Sequence, residues 1–396
     1  MSAPAMTASV PRNQMGGDEF RAALRAFLQE HHPGKRPRDA DEALAWQKAW
    51  NATLVDHGWG GASWPVEHGG MDLPFELQVV FHEEIGRAKV PGALGTGTHI
   101  AAPTIVRYGT DEQRERWLRP MLRGDEIWVQ GFSEPDAGSD LPSLRTRAVL
   151  DGDHYVVNGA KVWSSAAEIG TMIFALVRTG TQESRDKGIT YLVVDVDSPG
   201  LTLSPIRDMT GGAHFAEWIF EDVAVPVVNR IGDEDGGWPI ARTSLGHERA
   251  ANALSGATMY RRVVRELIEL ARERGLTSDP IVRQRLMWAE TEVRLAYLGG
   301  VRQIQNIVRD GEPGPISSVS RLGFGLFEQR LHELAVDLLG ASGMLAQRDP
   351  DAVQRGRWVW GFLRTRGSTI GAGTTEIQRN TAAERVLGLP RDPVPS

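Results

Sequence analysis

The period of the hydrophobic residues changes twice along this chain of 396 residues, and the change limits the folds that it can adopt. In Asp18–Glu30, the apolar residues Phe20, Leu24, Phe27 and Leu28 recur at the spacing of one helix face, behind acidic residues that suit a helix N-terminus. The pattern predicts a helical domain over roughly the first 120 residues. Three later segments repeat it between breaks rich in Gly and Pro: Asp41–Asp56, Phe75–Arg87 and Asp111–Arg123.

From Ile127 onward the sequence contains short runs rich in β-branched and aromatic residues. Turn signals such as Asp151-Gly152 and Asn158-Gly159 separate these runs. Strands at this spacing favour a β-sandwich or a β-barrel. The clearest predicted strands are His154–Asn158, Met172–Arg178, Thr190–Val196 and Phe215–Phe220.

After Gly237 the helical period returns in long segments, of which Asp279–Asp310 and Ile316–Leu339 are typical of a helix bundle. The sequence therefore predicts an α+β fold with an N-terminal α-helical domain, a middle β-barrel or β-sandwich domain and a C-terminal four-helix bundle. The expected limits are a flexible N-terminus at 1–17, then domains at 18–125, 126–235 and 236–390, and a tail at 391–396.

Composition removes several classes of function. Lys and Arg number 44 against 51 Asp and Glu, and this net charge of −7 gives no basic surface for nucleic acid or an anionic membrane. Cys is absent, which excludes disulfides, Cys-ligated metal centres and thiol nucleophiles. No apolar run approaches the ~20 residues of a membrane span, and the first residues lack the order of a signal peptide. We therefore expect a soluble, cytoplasmic protein that binds neither nucleic acid nor membrane.

Common catalytic motifs are also missing from the sequence. It contains no GxxxxGK[ST], no GxGxxG after a strand, no HExxH and no GxSxG. His82-Glu83 and His332-Glu333 each lack the second His that a zinc protease needs, so we expect no metal site.

The most distinctive stretch is GFSEPDAGSDL, residues 131–141, which ends a strand in a loop of small residues. Such a loop lets a flat ring or a phosphate approach the backbone closely, although an ordinary turn would have the same composition. Four further motifs follow in order: YVVNGAKVWSSAAEIG, FEDVAVP, LGHER and GAGTTEIQRNTAAERVLGLP. The ordered set is far more specific than any one member.

On these motifs the chain resembles the acyl-CoA dehydrogenase family over nearly its whole length. The resemblance implies FAD held noncovalently between the middle domain and the C-terminal helices, partly across a subunit boundary, in homodimers or dimers of dimers. It also implies α,β-desaturation of an acyl-CoA thioester, in which a carboxylate takes the α-proton and flavin N5 takes hydride from the β-carbon. An electron-transfer flavoprotein is the implied electron acceptor.

The resemblance assigns cofactor contacts to residues that match the family's motifs. Gln130, Phe132 and Ser133 fall on the strand and loop that line the flavin, and Trp163 and Ser165 fall on a Trp-x-Ser element beside the ring. The other positions assigned to FAD are Ser139 in the loop, Gln284 near the adenine, Asp337, Gly340 and Ala341 around the turn near the pyrophosphate, and Thr374 and Glu376 close to the C-terminus.

The catalytic base departs from the family's commonest pattern. The usual Glu position is Ala372, whose methyl group cannot accept a proton, but a minority of the family carry the Glu on the helix that opens the C-terminal domain. That position here is Glu248, which we expect to be the base, although an arbitrary helical Glu is more often solvated. The backbone N–H of residue 372 is implied to polarise the thioester carbonyl and needs no side chain. The implied substrate contacts are Ser139, Gly246 and Arg249.

Two further departures keep other functions open. The family's Arg-x-x-Phe-Gly element is replaced by Arg274–Ser278, and the Gln that usually precedes the Gly-Gly turn by Asp337, an acid near the FAD phosphates. Phrases such as EIQRNTAAERVLGLP resemble a bacterial branch with heterotetrameric enzymes that act on steroid side-chain CoA esters. This favours a related partner subunit and a bulky acyl group. A non-catalytic subunit of such an assembly and a flavin monooxygenase of the same fold remain alternatives.

Overall fold

A computed structural model describes residues 11–92, 94–251, 253–347 and 349–391, and the side chains at 249–251, 253 and 255 are left outside this description. Within these ranges the chain folds into helices, then a sheet, then helices again, as the sequence predicts. The predicted loose segments 1–17 and 391–396 lie mostly outside the described residues, and the first helix already begins at Gly17.

The N-terminal domain is helical, and each predicted helix is found within one residue of its expected limits. Side-chain caps fix where two of them begin: Asp39 accepts the N–H of Glu42, and Thr110 and Gln113 form a capping box. A further short helix, with Pro103 in its first turn, is not predicted by the period of its residues. The helices are α1 (Gly17–Glu30), α2 (Ala40–Asp56), α3 (Phe75–Ala88), α4 (Ala101–Tyr108) and α5 (Asp111–Arg123).

The middle domain is built on one connected mixed sheet. Its strands are β1 (Trp128–Gly131), β2 (Arg147–Asp151), β3 (His154–Ser165), β4 (Met172–Arg178), β5 (Ile189–Asp195), β6 (Leu201–Ile206), β7 (Phe215–Pro226) and β8 (Arg230–Ile231). They lie in the order β6-β7-β3-β2-β4-β5-β8, and β1 also pairs with β4. The β1 and β2 pairings with β4 are parallel, and the other pairings are antiparallel.

Strand β4 is buried along its whole length because a core covers each face of the sheet. Successive side chains of a strand point to opposite faces, so Phe174 packs in one core and Ile173 in the other. The core around Phe174 also contains Trp117 of α5 and Ile240 at the start of the C-terminal domain. The sheet is therefore fixed against both helical parts of the chain.

The C-terminal domain is a helical bundle in which α6 to α9 are the long helices. Asp279 caps the start of α8, and a core that includes Leu267 of α7, Val293 of α8 and Leu331 of α9 holds three of them together. No helix in the described ranges is long and apolar enough to cross a membrane. The helices are α6 (Gly237–Ala251), α7 (Ala253–Glu273), α8 (Pro280–Asp310), α9 (Ile316–Leu339), α10 (Arg357–Arg364) and α11 (Thr375–Arg385).

Candidate active site

The end of β1 is tied to β3 by hydrogen bonds that involve backbone carbonyls. The Ser164 hydroxyl donates to the Gln130 carbonyl at 2.5 Å, and the Val162 N–H donates to the Ser133 carbonyl at 2.9 Å. These bonds place the sequence-predicted residues Gln130 and Ser133 beside the segment that carries Trp163. The two motifs that stand apart in the sequence therefore form one surface.

A buried ion pair stabilises the same junction. Lys161 is fully buried and donates from Nζ to Oε1 of Glu134 at 2.7 Å and to the Phe132 carbonyl at 3.2 Å. Burial lowers the pKa of Lys161, and Glu134 opposes that shift. Glu134, 7% exposed, also accepts the backbone N–H groups of Arg145 and Thr146, so one carboxylate holds both ends of the loop. A buried charge with this many partners stabilises a defined loop geometry.

Trp163 presents an aromatic ring to the surface from an unusual backbone. Its φ is +65°, in the left-handed region, at an irregularity in the β3–β7 register between Lys161 and Ser164. The side chain is 58% exposed and makes an edge-to-face contact with Phe215, with ring centroids 5.9 Å apart. Such a conformation is costly for a bulky residue and is typical of functional sites. The ring and the exposed Ser165 fit a planar aromatic ligand.

The other residues predicted on this loop differ in what they can offer. Phe132 is 3% exposed and packs against Phe174 and Tyr191, so only its backbone could contact a ligand. Ser133 is half-buried and Ser139 is exposed at the far end of the loop.

Glu248 lies on α6, half-buried, and accepts a hydrogen bond from Nε2 of Gln130 at 3.2 Å. The carboxylate therefore lies at the end of β1, close to the surface formed by β1 and β3. Gly246 is half-buried one half-turn earlier on the same helix, and the side chain of Arg249 lies outside the described residues. Burial and, to a smaller extent, Arg107 lower the pKa of the neighbouring His247 to about 4, so that ring is neutral at neutral pH.

Ala372 lies on the turn that precedes α11, half-buried and with a φ of +55°. Thr374 is the N-cap of α11, where its hydroxyl accepts the N–H of Ile377, and Glu376 is exposed in the first turn. Nη2 of Arg321, on α9, donates to the Gly371 carbonyl at 2.9 Å. The turn accepts a hydrogen bond from Arg321, and the negative charge of Glu248 raises the pKa of the same guanidinium. The turn and Glu248 therefore lie in one region.

The remaining predicted residues form a second group at the other end of α9. Gln284 and Asp337 line a cavity of about 430 Å³, and Asp337 and Gly340 line a neighbouring cavity of about 620 Å³. Asp337 pairs with Arg285 at 2.6 Å, and Ala341 is exposed. A rise of about 1.5 Å per residue puts Asp337 roughly 24 Å along α9 from Arg321. The structure therefore separates this group from Glu248.

Sequence reasoning misses three residues that organise the site. Lys161 lies within a quoted motif, but nothing in the sequence signals that it is buried against Glu134. Arg321 and Gln378 hold the turn at Ala372, and neither stands in a recognisable pattern with it.

Comparison with known proteins assigns the chain to a family. Three family models match in chain order: acyl-CoA dehydrogenase N-terminal domain at residues 17–125, middle domain at 130–223 and C-terminal domain at 235–387. These three matches identify the chain as an oxidoreductase of a class that acts on the CH–CH bonds of acyl-CoA. The chain belongs to the acyl-CoA dehydrogenase family, whose members are flavoproteins.

Relatives and solved structures agree with this assignment. The chain is 38% identical over 384 residues to acyl-CoA dehydrogenase IpdE1 of Mycobacterium tuberculosis, with 95% of this chain and 98% of the relative covered. A solved Tcur3481-Tcur3483 steroid ACAD has a TM-score of 0.83 and 29% identity, covering 95% of this chain and 98% of that chain. The ChsE4-ChsE5 complex from Mycobacterium tuberculosis has a TM-score of 0.81 and 30% identity, with the same coverage.

Proposed function

We propose that this chain is an FAD-dependent acyl-CoA dehydrogenase that desaturates the α,β bond of an acyl-CoA thioester with Glu248 as its base. The observation that carries the proposal is the bond from Gln130 to Glu248, which holds a carboxylate beside the surface that presents Trp163. The usual base position, Ala372, lies on a turn in the same region and offers only its backbone. The carboxylate base needed for proton abstraction is therefore supplied by α6.

The residues of this surface fit a flavin. An exposed Trp163 on left-handed backbone offers a ring for stacking, and Ser133 and Ser165 offer hydroxyl groups beside it. Gln284, Gly340 and Thr374 are the further positions that we propose to contact FAD, with Gln284 contributed from a partner chain. When bound, FAD supplies the acceptor for the hydride that leaves the β-carbon.

The protein's own groups handle the α-proton and the thioester carbonyl. Glu248 accepts the α-proton, and the hydrogen bond from Gln130 to Oε2 orients the carboxylate for that transfer. The N–H of Ala372 donates to the thioester carbonyl and stabilises the negative charge that develops there. Neutral His247 adds no positive charge beside the base. Substrate orientation is assigned to Ser139, Gly246 and Arg249.

The decisive experiment uses Glu248→Gln in the flavin-loaded protein. A panel of short, long and steroidal acyl-CoAs is added without oxygen, and loss of the flavin absorbance band is recorded. Wild type is expected to bleach with at least one thioester, and the variant is expected to retain its flavin but not bleach. Glu290→Gln, which removes a half-buried carboxylate paired with Arg294, is the control. Full bleaching of the Glu248→Gln variant would refute the assignment of the base.

Our second proposal is that the protein assembles with a related partner subunit. Asp337, where the family usually has Gln, is held by Arg285 on α8, and Arg274 bonds the Leu339 carbonyl. The side chains of Asp337 and Arg274 are thus engaged within this chain, which favours a non-identical chain as the source of part of the cofactor site. The names of two solved relatives, Tcur3481-Tcur3483 and the ChsE4-ChsE5 complex, each combine two different chains, and this supports a non-identical partner. A flavin-loaded homo-oligomer with full activity would exclude it.

The acyl group and the electron acceptor complete the proposal. The names of the solved steroid ACAD relatives favour a bulky, ring-containing acyl group, and family membership favours an electron-transfer flavoprotein as acceptor. The thioester panel tests the first proposal directly. A yellow protein that no thioester bleaches would instead direct attention to oxygen chemistry of the flavin.

A further inference from the structure

One face of α9 supports the turn that carries Ala372. Arg321, Gly325 and Gln329 recur at intervals of four residues and therefore lie on the same face of the helix. Nε2 of Gln329 donates to Oγ1 of Thr369 at 2.9 Å. A Cβ atom on Gly325 would lie 2.5 Å from the Ser368 carbonyl oxygen, so this close approach depends on glycine. The turn thus packs directly on the helix.

Two side chains fix the carbonyl groups at the end of this turn. Arg321 donates to the Gly371 carbonyl at 2.9 Å, and Gln378 donates from Nε2 to the Ala372 carbonyl at 2.8 Å. In a trans peptide the N–H points opposite to the preceding carbonyl, so the Ala372 N–H is directed away from Arg321. Among the described residues, that N–H has no hydrogen-bond partner. The Ala372 N–H is therefore held in a fixed direction and can donate to a ligand.

Arg321 also lies in the electrostatic field of the carboxylates around the site. Burial lowers its pKa, and the negative charges of Glu328 and Glu248 oppose that shift. The charges facing the guanidinium therefore come from its own helix and from α6. A cation placed in this way favours the ionised form of Glu248.

We propose that Arg321 is a positioning residue that couples the two halves of the catalytic machinery. Its bond to the Gly371 carbonyl aims the Ala372 N–H, and its charge supports the carboxylate of Glu248. The inference rests on the proposed function, because both groups it positions are assigned there. It goes further by giving one side chain control over both proton abstraction and carbonyl polarisation.

The test compares Arg321→Met and Arg321→Gln with wild type. Met removes both charge and donors, whereas Gln removes the charge and keeps a donor. The matched control is Arg294→Met, on the exposed face of α8. We expect kcat to fall about tenfold to hundredfold in Arg321→Met. The acid limb of the pH–rate profile is expected to move up by roughly one pH unit in both variants. Arg321→Lys is expected to restore the acid limb.

A second readout does not depend on activity. The N–H groups of Ile370 and Gly371 both donate to the Gly367 carbonyl, and their hydrogen exchange reports whether the turn is held. We expect faster exchange in Arg321→Met and near-normal exchange in Arg321→Gln and the Arg294→Met control. If Arg321→Met does not fold, the acid limb of Arg321→Gln decides alone, and an unshifted limb overturns the proposal.

The outcomes separate this inference from the proposed function. If Glu248→Gln is inactive while the Arg321 variants keep wild-type kcat and acid limb, the proposed function stands and the role of Arg321 is refuted. Faster exchange without a change in kcat or acid limb also refutes it, because Arg321 would then only stabilise the turn. Full activity of Glu248→Gln removes the proposed base and this inference with it.

Discussion

Gln130 donates from Nε2 to Oε2 of Glu248 at 3.2 Å, and this bond joins the end of β1 to α6. Both residues are assigned to the site from sequence, one to the cofactor and one to catalysis, but the sequence does not indicate that they touch. The bond means that the proposed base is oriented by the sheet and not by its own helix alone. A hydrogen bond to a charged group contributes about 1.5–3 kcal/mol.

Replacing this amide tests its contribution. Gln130→Leu is expected to lower kcat about tenfold or more, because the carboxylate loses the donor that orients it. The acid limb of the rate profile is expected to move to higher pH, since that donor favours the ionised form. Anaerobic flavin bleaching by stopped flow measures both effects. Gln47→Leu, which removes a half-buried amide of α2 that donates to the Gly92 carbonyl, serves as control, and equal rates for the two variants would contradict the assignment.

The elements that the sequence predicts well are those with an uninterrupted pattern. Strand β4 matches its predicted limits because its apolar run is continuous. Helix α9 matches its predicted limits because its helical period is not interrupted. Strand β3 extends to Ser165, well beyond the predicted Asn158, because the irregularities near Gly159 and Trp163 break the alternation that identifies a strand. The second of these irregularities presents Trp163 on the candidate cofactor surface.

The candidate site is predicted less completely because its contacts join distant parts of the chain. The Gln130–Glu248 bond spans 118 positions and the bond from Arg321 to Gly371 spans 50. No local pattern encodes such a pair. The motif resemblance supplies Glu248, Trp163 and Ala372 as candidates, whereas the residues that hold them, such as Lys161, follow only from the packed structure.

Because Lys161 and Glu134 form a buried ion pair, removal of one partner is expected to cause a large loss of stability. Lys161→Met leaves a buried carboxylate without its cation and is expected to cost about 3–5 kcal/mol. Thermal unfolding of the apoprotein measures the loss as a lower Tm. The double variant Lys161→Met, Glu134→Gln is expected to recover part of it, because no uncompensated charge remains. A Tm equal to wild type in the single variant would contradict this account.

Replacing Trp163 is expected to lower the affinity for flavin with little loss of stability. The ring is 58% exposed, so Trp163→Ala removes little buried surface from the protein itself. Loss of an aromatic contact with the cofactor is expected to weaken FAD binding about tenfold. Titration of the apoprotein with FAD, followed by flavin fluorescence, gives the Kd. Val149→Ala, an exposed apolar residue on β2, is the control. Unchanged affinity in Trp163→Ala would remove this residue from the cofactor surface.

From the pKa values of two half-buried histidines we expect the protein to lose stability on mild acidification. Burial lowers the pKa of His82 and of His99 to about 4, against about 6.5 in the unfolded chain. The unfolded state therefore binds more protons between these values, so the free energy of unfolding decreases as pH falls from 6.5 towards 4. Each histidine contributes at most roughly 3 kcal/mol to that decrease. In a series of Tm measurements from pH 7 to pH 4, His99→Gln is expected to flatten the fall. Thr96→Val, which removes a hydroxyl bonded to the Trp128 carbonyl in the same segment and no titratable group, should not flatten it. Parallel curves for wild type and His99→Gln would show that this ring is charged in the folded protein.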